Sequence, residues 1–342
     1  MNISFWVTKQ CNLNCNYCYV SKKNKKMTLD TAKSAVEFAI DKINTSKDEK
    51  IKISIHGGEP FLNLEVGRYI VENIKSLVKN GKELLFTLTT NGTLINDEII
   101  SFIKDNINYS FSISIDGLKD IHDMNRKYIN GEGSFDDVIK NLNKLKENNI
   151  YPRIRTTITP ETVNKLYETF IYFQKLGYSS ISSILDFTDD RWNEENLNVY
   201  YENLSMIMAY LKENDFNNFK SKLNNMKKAT FSKKGECGAG KSSLHIDYNG
   251  DIYPCSYSLD NKNNAIGSIY NGIEIKKIEN IKLINESEIE KCAKCKYKSF
   301  CDGNRCKYVN LKINGYINKP SNLHCYINYI NHKILLDNLE YL

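Results

Sequence analysis

Ile3-Ser4-Phe5-Trp6-Val7-Thr8-Lys9-Gln10-Cys11-Asn12-Leu13-Asn14-Cys15-Asn16-Tyr17-Cys18 opens the chain. Ile3–Val7 is a short apolar run of the kind a buried strand uses, and it feeds a polar loop that holds three cysteines. The pattern then repeats. Short β-branched runs alternate with stretches of helical period, as in a parallel sheet wrapped by helices. Further strands are expected near Ile51–Ile55, Leu84–Leu88, Phe111–Ile115, Arg153–Ile158 and Ser180–Leu185. Thr28-Leu29-Asp30-Thr31 opens the first helix with a capping signature, and Ala32, Ala35, Val36, Ala39 and Ile40 give it an apolar stripe. Other helices are expected at about Asn63 to Lys79, Asn96 to Lys104, Ser134 to Glu147 and Glu161 to Leu176. Six strand–helix repeats are too many for a small sandwich and two short of a closed eightfold barrel. The fold class is therefore α/β, with a partial (β/α)6 barrel of TIM type.

The 342 residues fit roughly two domains at ~150 residues each. With 41% apolar and 26% charged residues, neither disorder nor a coiled coil suits the composition. No apolar run approaches the ~18 residues of a membrane span, and Met1-Asn2-Ile3 does not begin an export signal. A soluble, cytoplasmic protein with no membrane partner is expected. The net charge is +6, and the dense basic run Lys22-Lys23-Asn24-Lys25-Lys26 reads as a solvated loop, so no nucleic-acid partner is expected. Of the ten cysteines, three stand at 11, 15 and 18 and seven between 237 and 325. Clustering of this kind, without an export signal, means metal before disulfides.

In parallel β/α folds chemistry gathers in the loops after the strands. Those loops read Cys11 to Cys18, His56-Gly57-Gly58-Glu59-Pro60, Thr89-Thr90-Asn91-Gly92 and Asp116-Gly117. Three thiolates on one loop can face a polynuclear site with one position open, whereas closed structural zinc usually takes four ligands. A zinc site completed by a distant residue is the competing reading. Consecutive glycines let backbone approach a ligand closely, and Glu59 is an acceptor suited to a cationic amine.

Cys11-x3-Cys15-x2-Cys18 with Tyr17, followed by Gly57-Gly58-Glu59-Pro60, resembles the radical S-adenosylmethionine (SAM) superfamily over about residues 1–190. The resemblance implies that Cys11, Cys15 and Cys18 hold a [4Fe–4S] cluster whose remaining iron binds SAM. It also implies that reductive cleavage of SAM releases a 5′-deoxyadenosyl radical. Tyr17, Gly58 and Glu59 belong to the cofactor loops. Ser114 and Arg126 match positions that hold the ribose and the methionyl carboxylate in relatives, and Leu185 the position whose backbone meets the adenine. A planar guanidinium suits a carboxylate, while a surface Arg and a core Leu are the plain alternatives.

The later cysteines are Cys237, Cys255, Cys292, Cys295, Cys301, Cys306 and Cys325, with a hairpin expected from Leu244–Tyr248 against Asp251–Tyr253. Residues 292–306 alone could form a zinc ribbon. The full string resembles the SPASM extension of radical enzymes that modify peptides and proteins, over about residues 232–330. Cys301 and Cys306 are separated by four residues, where the family has three. The resemblance implies two auxiliary [4Fe–4S] clusters, three in all. One would be held by Cys292, Cys295, Cys301 and Cys325, and an inner one by Cys237, Cys255 and Cys306. The expected division is 1–190 barrel, 191–231 helical bridge, 232–330 SPASM domain of α+β type and 331–342 C-terminal helix.

Two enzyme readings and one scaffold reading follow. Similarity to anaerobic sulfatase-maturating enzymes rests on Ser114-Ile115-Asp116-Gly117 through Arg126. Those enzymes carry an aspartate base after the Tyr-Pro-Cys cysteine, where this chain has Ser256, a much weaker base. Ile121-His122-Asp123 through Arg126 and Gly133-Ser134-Phe135 resemble maturases of ribosomally made peptides, which would install a thioether, C–C or C–O cross-link. An inner cluster with three cysteines suits the thioether, because an open iron could bind the substrate thiolate. A non-catalytic iron–sulfur or zinc scaffold has no need of Gly57–Pro60 or Arg126. Expected partners are a precursor peptide or protein and an electron donor such as ferredoxin or flavodoxin. With the first strand at residue 3, a leader would be read by the barrel surface, by residues 186–230 or by a separate leader-binding protein. Asp186, Asp189, Asp190, Glu194 and Glu195 read as a solvated helix start, and Leu204, Ile207, Met208 and Leu211 as a packing stripe. The catalytic base is unassigned. Glu236, Lys241 and Tyr257 are candidates by proximity to cysteines, and the five histidines carry no assigned role.

Overall fold

A computed structural model describes residues 1–78, 81–259 and 261–342. The chain divides into two compact units, residues 1–156 with 238–281, and 157–237 with 282–342.

The first unit holds β1 (Asn2–Thr8), α1 (Leu29–Thr45), β2 (Lys50–Gly57), α2 (Leu64–Leu77), β3 (Glu83–Thr90), α3 (Asp97–Asn106), β4 (Ser110–Ser114), α4 (Lys119–Asn125), α5 (Phe135–Glu147) and most of β5 (Arg153–Ile158). The second unit takes the end of β5, then α6 (Leu166–Lys175), β6 (Ile181–Leu185), α7 (Glu194–Asn214) and α8 (Phe216–Phe231). The chain returns to the first unit for β7 (Ser243–Ile246), β8 (Asp251–Tyr253), β9 (Gly267–Ser268) and β10 (Gly272–Ile273). Next, α9 (Ile275–Glu286) crosses the division, and α10 (Asp302–Arg305), α11 (Lys307–Asn314) and α12 (Asn322–Asp337) belong to the second unit.

Within the first unit the strand order is β10-β9-β8-β7-β1-β2-β3-β4-β5. The strands β1 to β5 are parallel neighbours in sequence order, with Ile3 opposite Ile53 and Ile53 opposite Phe86. The barrel is partial and its sheet open. On its other side β1 pairs in parallel with β7, Ile3 opposite Leu244. Residues 3–8 of β1 are therefore buried on both faces, as a central parallel strand requires. The expected hairpin forms antiparallel between β7 and β8, turning at Gly250, whose φ of 86° favours glycine.

The helices follow their local chemistry. Thr28 Oγ1 accepts the Thr31 N–H at 3.1 Å and starts α1. The buried stripe is Ala32, Ala35, Val36, Ala39 and Ile43, while Ile40 stays partly exposed, because a 3.6-residue period carries the stripe from 39 to 43. Asn96 caps α3 in the same way, at 2.9 Å from Ile99 N. The expected end of α2 at Lys79 lies outside the described residues, and the helix runs to Leu77. The helix expected from Glu161 is split: Val163–Lys165 is a 3₁₀ turn before α6. The helix expected over 331–342 is instead α12, begun at Asn322 because Ser321 accepts the Leu323 N–H at 3.2 Å just after Pro320. In the second unit α7 buries Leu204, Ile207, Met208 and Leu211 against a core that includes Phe219, Leu223, Ile330 and Ile334. Among the described residues no helix is long and apolar enough to cross a membrane.

Histidines in the first unit give its stability a pH slope. Burial holds His56 at about 4, His122 at about 3 and His245 at about 3, against an ordinary 6.5. Trp6 stacks on His56 at 5.2 Å and donates its Nε1–H to His245 Nδ1 at 3.1 Å. The unfolded chain binds protons at these sites below 6.5 and the folded one does not until about pH 4, so stability falls as pH drops from 6.5. Glu59, lifted to about 7 by burial, works in the opposite sense, as does Asp247, also raised by burial. Three imidazoles outweigh these two carboxyls. Anaerobic denaturation at pH 5.5 is expected to show a lower midpoint than at pH 7.5, with His245→Gln flattening the slope by about one proton. An unchanged slope in that variant would refute the assignment.

Candidate active site

The loops after β1 and β2 are stitched together by the main chain, and the loop after β3 joins them through the Glu59 carboxylate. Gly58 N–H donates to Thr8 O at 3.0 Å, and Glu59 N–H donates to Gln10 O at 2.8 Å. A Cβ on Gly58 would fall 2.7 Å from the Gln10 carbonyl carbon and 3.0 Å from Cys11 Cβ, so glycine is what lets the second loop lie against the cysteine loop. The buried Glu59 carboxylate accepts from Thr90 Oγ1 at 2.7 Å, Asn91 N–H at 2.7 Å and Phe61 N–H at 3.2 Å. Of about four acceptor positions on a carboxylate, three are occupied and one is left for an amine. Asn91 Nδ2 also donates to Asn12 Oδ1 at 2.8 Å and faces Cys11 Sγ at 3.9 Å.

The other flank of the cysteine loop is held by the segment after β4. Asn14 N–H donates to Lys127 O at 2.7 Å and Asn16 N–H to Asn125 O at 3.1 Å. Asp116, whose side chain is fully buried, pairs with Arg126 Nε at 3.1 Å and accepts a short hydrogen bond from the Tyr17 hydroxyl. The Arg126 guanidinium lies over the Tyr17 ring, 5.2 Å from its centroid, with Nη1 at 3.9 Å from Cys15 Sγ. Burial opposes the charge on Arg126, but the Asp116 carboxylate beside it more than offsets that and holds the group cationic. Burial pushes the Tyr17 hydroxyl well above its usual range, so it acts as a neutral donor. His122 Nδ1 accepts from Asp116 N–H at 3.3 Å, and its Nε2 lies 2.9 Å from Ser134 Oγ. Ser134 gives its own proton to Arg126 O at 2.7 Å, so His122 carries its hydrogen on Nε2.

Burial pushes the Cys11 thiol up to about 11 and raises Cys15, the latter partly offset by Arg126. A coordinated cation would deprotonate both. Among the described residues, no three His, Cys, Asp or Glu side chains come close enough to share one metal ion. A four-iron cluster takes its thiolates on different irons. Three soft donors on one loop, a cation beside Cys15 and a glycine-lined cradle fit the polynuclear group.

The structure thus brings Tyr17, Gly58, Glu59 and Arg126 around the cysteine loop. Ser114 is half-buried at the end of β4, opposite Arg155 in register. Leu185 belongs to the second unit, buried in its core with Ile158, Val163 and Leu197. Roles not foreseen fall to Thr90, at the end of β3, to Asn91 and Asp116, in the loops after β3 and β4, and to His122 in α4. Tyr19 and Tyr257 are also gathered, with ring centroids 5.6 Å apart. Burial raises the Tyr19 hydroxyl, which is bonded to Ser256 and lies in the field of Arg155.

In the second unit Cys292, Cys295, Cys301 and Cys325 form one neighbourhood. The Cys292 thiol is raised by burial and then by Cys301, Cys325 and Cys295. Cys306 is raised by burial and feels Cys237. Cys255 lies in the first unit, just before the 3₁₀ turn Ser256–Ser258.

Residues 7–173 match the radical SAM superfamily, and residues 237–296 match the SPASM iron–sulfur cluster-binding domain. The chain belongs to the radical SAM superfamily and carries an SPASM region, a combination whose cofactors are SAM and iron–sulfur clusters.

Similarity to individual proteins is more distant. The chain spans about half the length of several curated relatives that it matches. It covers 59% of an uncharacterized Methanocaldococcus jannaschii protein, 39% identical over 52% of this chain. It covers 43% of the radical SAM cyclopropyl synthase TigE of Paramaledivibacter caminithermalis, 27% identical over 57% of this chain. A cysteine-type anaerobic sulfatase-maturating enzyme of Clostridium perfringens is 24% identical over 87% of this chain and 86% of its own. The solved structure of native anSMEcpe with bound AdoMet superposes with a TM-score of 0.79 over 99% of this chain and 98% of that one, at 22% identity, a likeness of fold.

Proposed function

We propose that the chain is a radical SAM/SPASM maturase that abstracts hydrogen from a ribosomally made peptide and installs a cross-link. The observation that carries the reading is the clasp on the cysteine loop, formed by Gly58 and Glu59 on one flank and by Asp116, Arg126 and Tyr17 on the other. A scaffold has no use for so much fixed polar structure around three thiols. When bound, a [4Fe–4S] cluster with SAM supplies a 5′-deoxyadenosyl radical. Cys11, Cys15 and Cys18 would hold that cluster, Glu59 would receive the amine of SAM, and Arg126 would compensate negative charge beside Cys15. Ser114 and Leu185 are proposed for the ribose and the adenine. Two auxiliary clusters are proposed, on Cys292, Cys295, Cys301 and Cys325 and on Cys237, Cys255 and Cys306.

Forming a cross-link removes two hydrogens from the substrate. One is taken by the radical, and the other leaves as a proton and an electron, which need acceptors. After Cys255 the site presents Ser256 and Tyr257 beside Tyr19, and neither a serine hydroxyl nor a phenol raised by burial takes a proton as a carboxylate does. This weighs against formylglycine formation, the reading that the Clostridium perfringens relative otherwise supports. Precursor peptide, a flavodoxin- or ferredoxin-type donor and a separate leader-binding protein are the proposed partners.

Anaerobically reconstituted protein with dithionite and SAM is expected to yield 5′-deoxyadenosine. With a cysteine-containing precursor peptide, the product should lose two hydrogens. Sulfur exchanged for oxygen would favour sulfatase maturation instead, and absence of 5′-deoxyadenosine would return the chain to a scaffold.

A further inference from the structure

We propose that Arg155 sets the specificity of the site: its guanidinium, on the inner face of the partial barrel, receives a carboxylate of the peptide substrate. The inference rests on the maturase reading above and adds to it the chemistry of the substrate.

The strand register fixes where Arg155 stands. It lies opposite Ser114 on β4, and its carbonyl accepts the Ile115 N–H at 2.9 Å. One residue earlier, Ile154 lies opposite Ile113, which in turn lies opposite Thr90, and all three are buried. Successive residues of a strand face opposite sides of the sheet, so Ser114 and Arg155 share the other face. That face is the inner one. A Cβ on Gly67 of α2 would lie 3.6 Å from Ile55 Cγ2, so the helices cover the face of Ile55 and of its neighbour Leu88. His56 turns the other way, onto Trp6, and on the same inner face Ser54 Oγ accepts from Thr87 Oγ1 at 2.8 Å. Arg155 thus stands with Ser114 near the carboxyl end of the strands, where β/α folds place their chemistry.

Its charge lacks an opposite. An arginine stays ionised at any ordinary pH, and a guanidinium drawn partly out of water needs an anion to offset the loss. Arg155 is half-buried, and among the described residues no ion pair or side-chain hydrogen bond holds it. Arg126, by contrast, has Asp116 at 3.1 Å. The ionisable groups that act on Arg155 most strongly are Tyr19, Arg153, Arg126 and Tyr257, two phenols and two further cations. The phenols follow Cys18 and Cys255 closely in the chain, their rings are 5.6 Å apart, and they are 38% and 37% exposed. An open pair of rings beside an unopposed cation suits an anionic guest. A carboxylate fits best, because the planar fork donates two parallel N–H bonds to its two oxygens. SAM is not the expected source. Its carboxylate shares a carbon with the amine proposed for Glu59, and Glu59 is not among the groups that act most strongly on Arg155. The carboxylate therefore arrives with the peptide, as an acidic side chain or as the C-terminus.

The test uses the anaerobically reconstituted full chain, immobilised with SAM, and a library of short cysteine-containing peptides made with free and with amidated C-termini. Captured peptides are sequenced by mass spectrometry. The wild type is expected to favour Asp over Asn and Glu over Gln at one position, or a free over an amidated C-terminus, by about tenfold or more, as a charge-assisted pair would give. Arg155→Met should erase that preference, and Arg155→Lys should keep part of it. SAM affinity, measured by equilibrium dialysis, should be the same in each. Should Arg155→Met fail to fold, Arg155→Gln takes its place, with the same loss expected. No preference for a carboxylate in the wild type, or one that survives in the neutral variant, overturns the inference. So does a loss of SAM affinity with the peptide preference intact, which would give Arg155 to the cofactor's own carboxylate. Each of these leaves the maturase reading standing, whereas absence of 5′-deoxyadenosine from the wild type overturns that reading itself.

Discussion

Gly58→Ala is expected to lower 5′-deoxyadenosine formation about 10²-fold or more. The added methyl group would meet the main chain of Gln10, 2.7 Å from its carbonyl carbon, and backbone cannot rotate aside as a side chain can. Relief requires the loops after β1 and β2 to part, which stretches the Gly58-to-Thr8 and Glu59-to-Gln10 hydrogen bonds. Cys11 follows Gln10 directly, so its sulfur moves with the loop. A misplacement of about 1 Å in a positioned reacting group can cost ~10²-fold in rate. Gly235→Ala is the control, because its Cβ would meet nothing within 4 Å. Product formation is read by chromatography alongside iron content. A Gly58→Ala protein with wild-type rate and iron would show that the two loops need no such approach.

The second large effect concerns Asp116. Its carboxylate is fully buried against Arg126, itself 9% exposed at the side chain, and it also accepts the hydrogen bond that the Tyr17 hydroxyl donates. Asp116→Asn keeps the shape and an acceptor for Tyr17 but leaves the guanidinium without its counter-charge, a change that costs about 3–5 kcal/mol for a buried pair. Arg126→Met has the mirror effect, stranding an anion. The double variant removes both charges and is expected to be more stable than the sum of the singles predicts by well over ~0.5 kcal/mol, the limit for independent sites. The readout is the midpoint of anaerobic denaturation, with iron retention as a second measure of the cysteine loop. Additive losses would mean that Asp116 and Arg126 do not act as a pair.

Particular residues show how far the sequence could be read. Thr28, Asn96 and the alternating apolar runs specify their elements by contacts a few residues away, so the strands from β1 to β6 and most of the helices between them were legible. The cysteine spacing and Gly57-Gly58-Glu59-Pro60 gave the chemistry, because only a few residue types can ligate iron or yield to a close backbone. Asp116 was visible as a loop residue yet had no role in the sequence, since its partners Tyr17 and Arg126 lie on separate loops. The buried Lys307 was wholly illegible: a lysine in the sequence predicts solvent, and only tertiary packing, which brings its ammonium to Ser287 O, removes it from water.

By itself, then, the sequence determined that this is a parallel β/α chain with two groups of clustered cysteines, because periodicity and residue type act locally. The tertiary structure alone decided that β7 lies beside β1, some 240 residues earlier, that Glu59 spends three acceptor positions on the loops beside it, and that Asp116 neutralises Arg126. Pairings of that kind depend on which side chains lose water together, and this is settled only when the whole chain is packed.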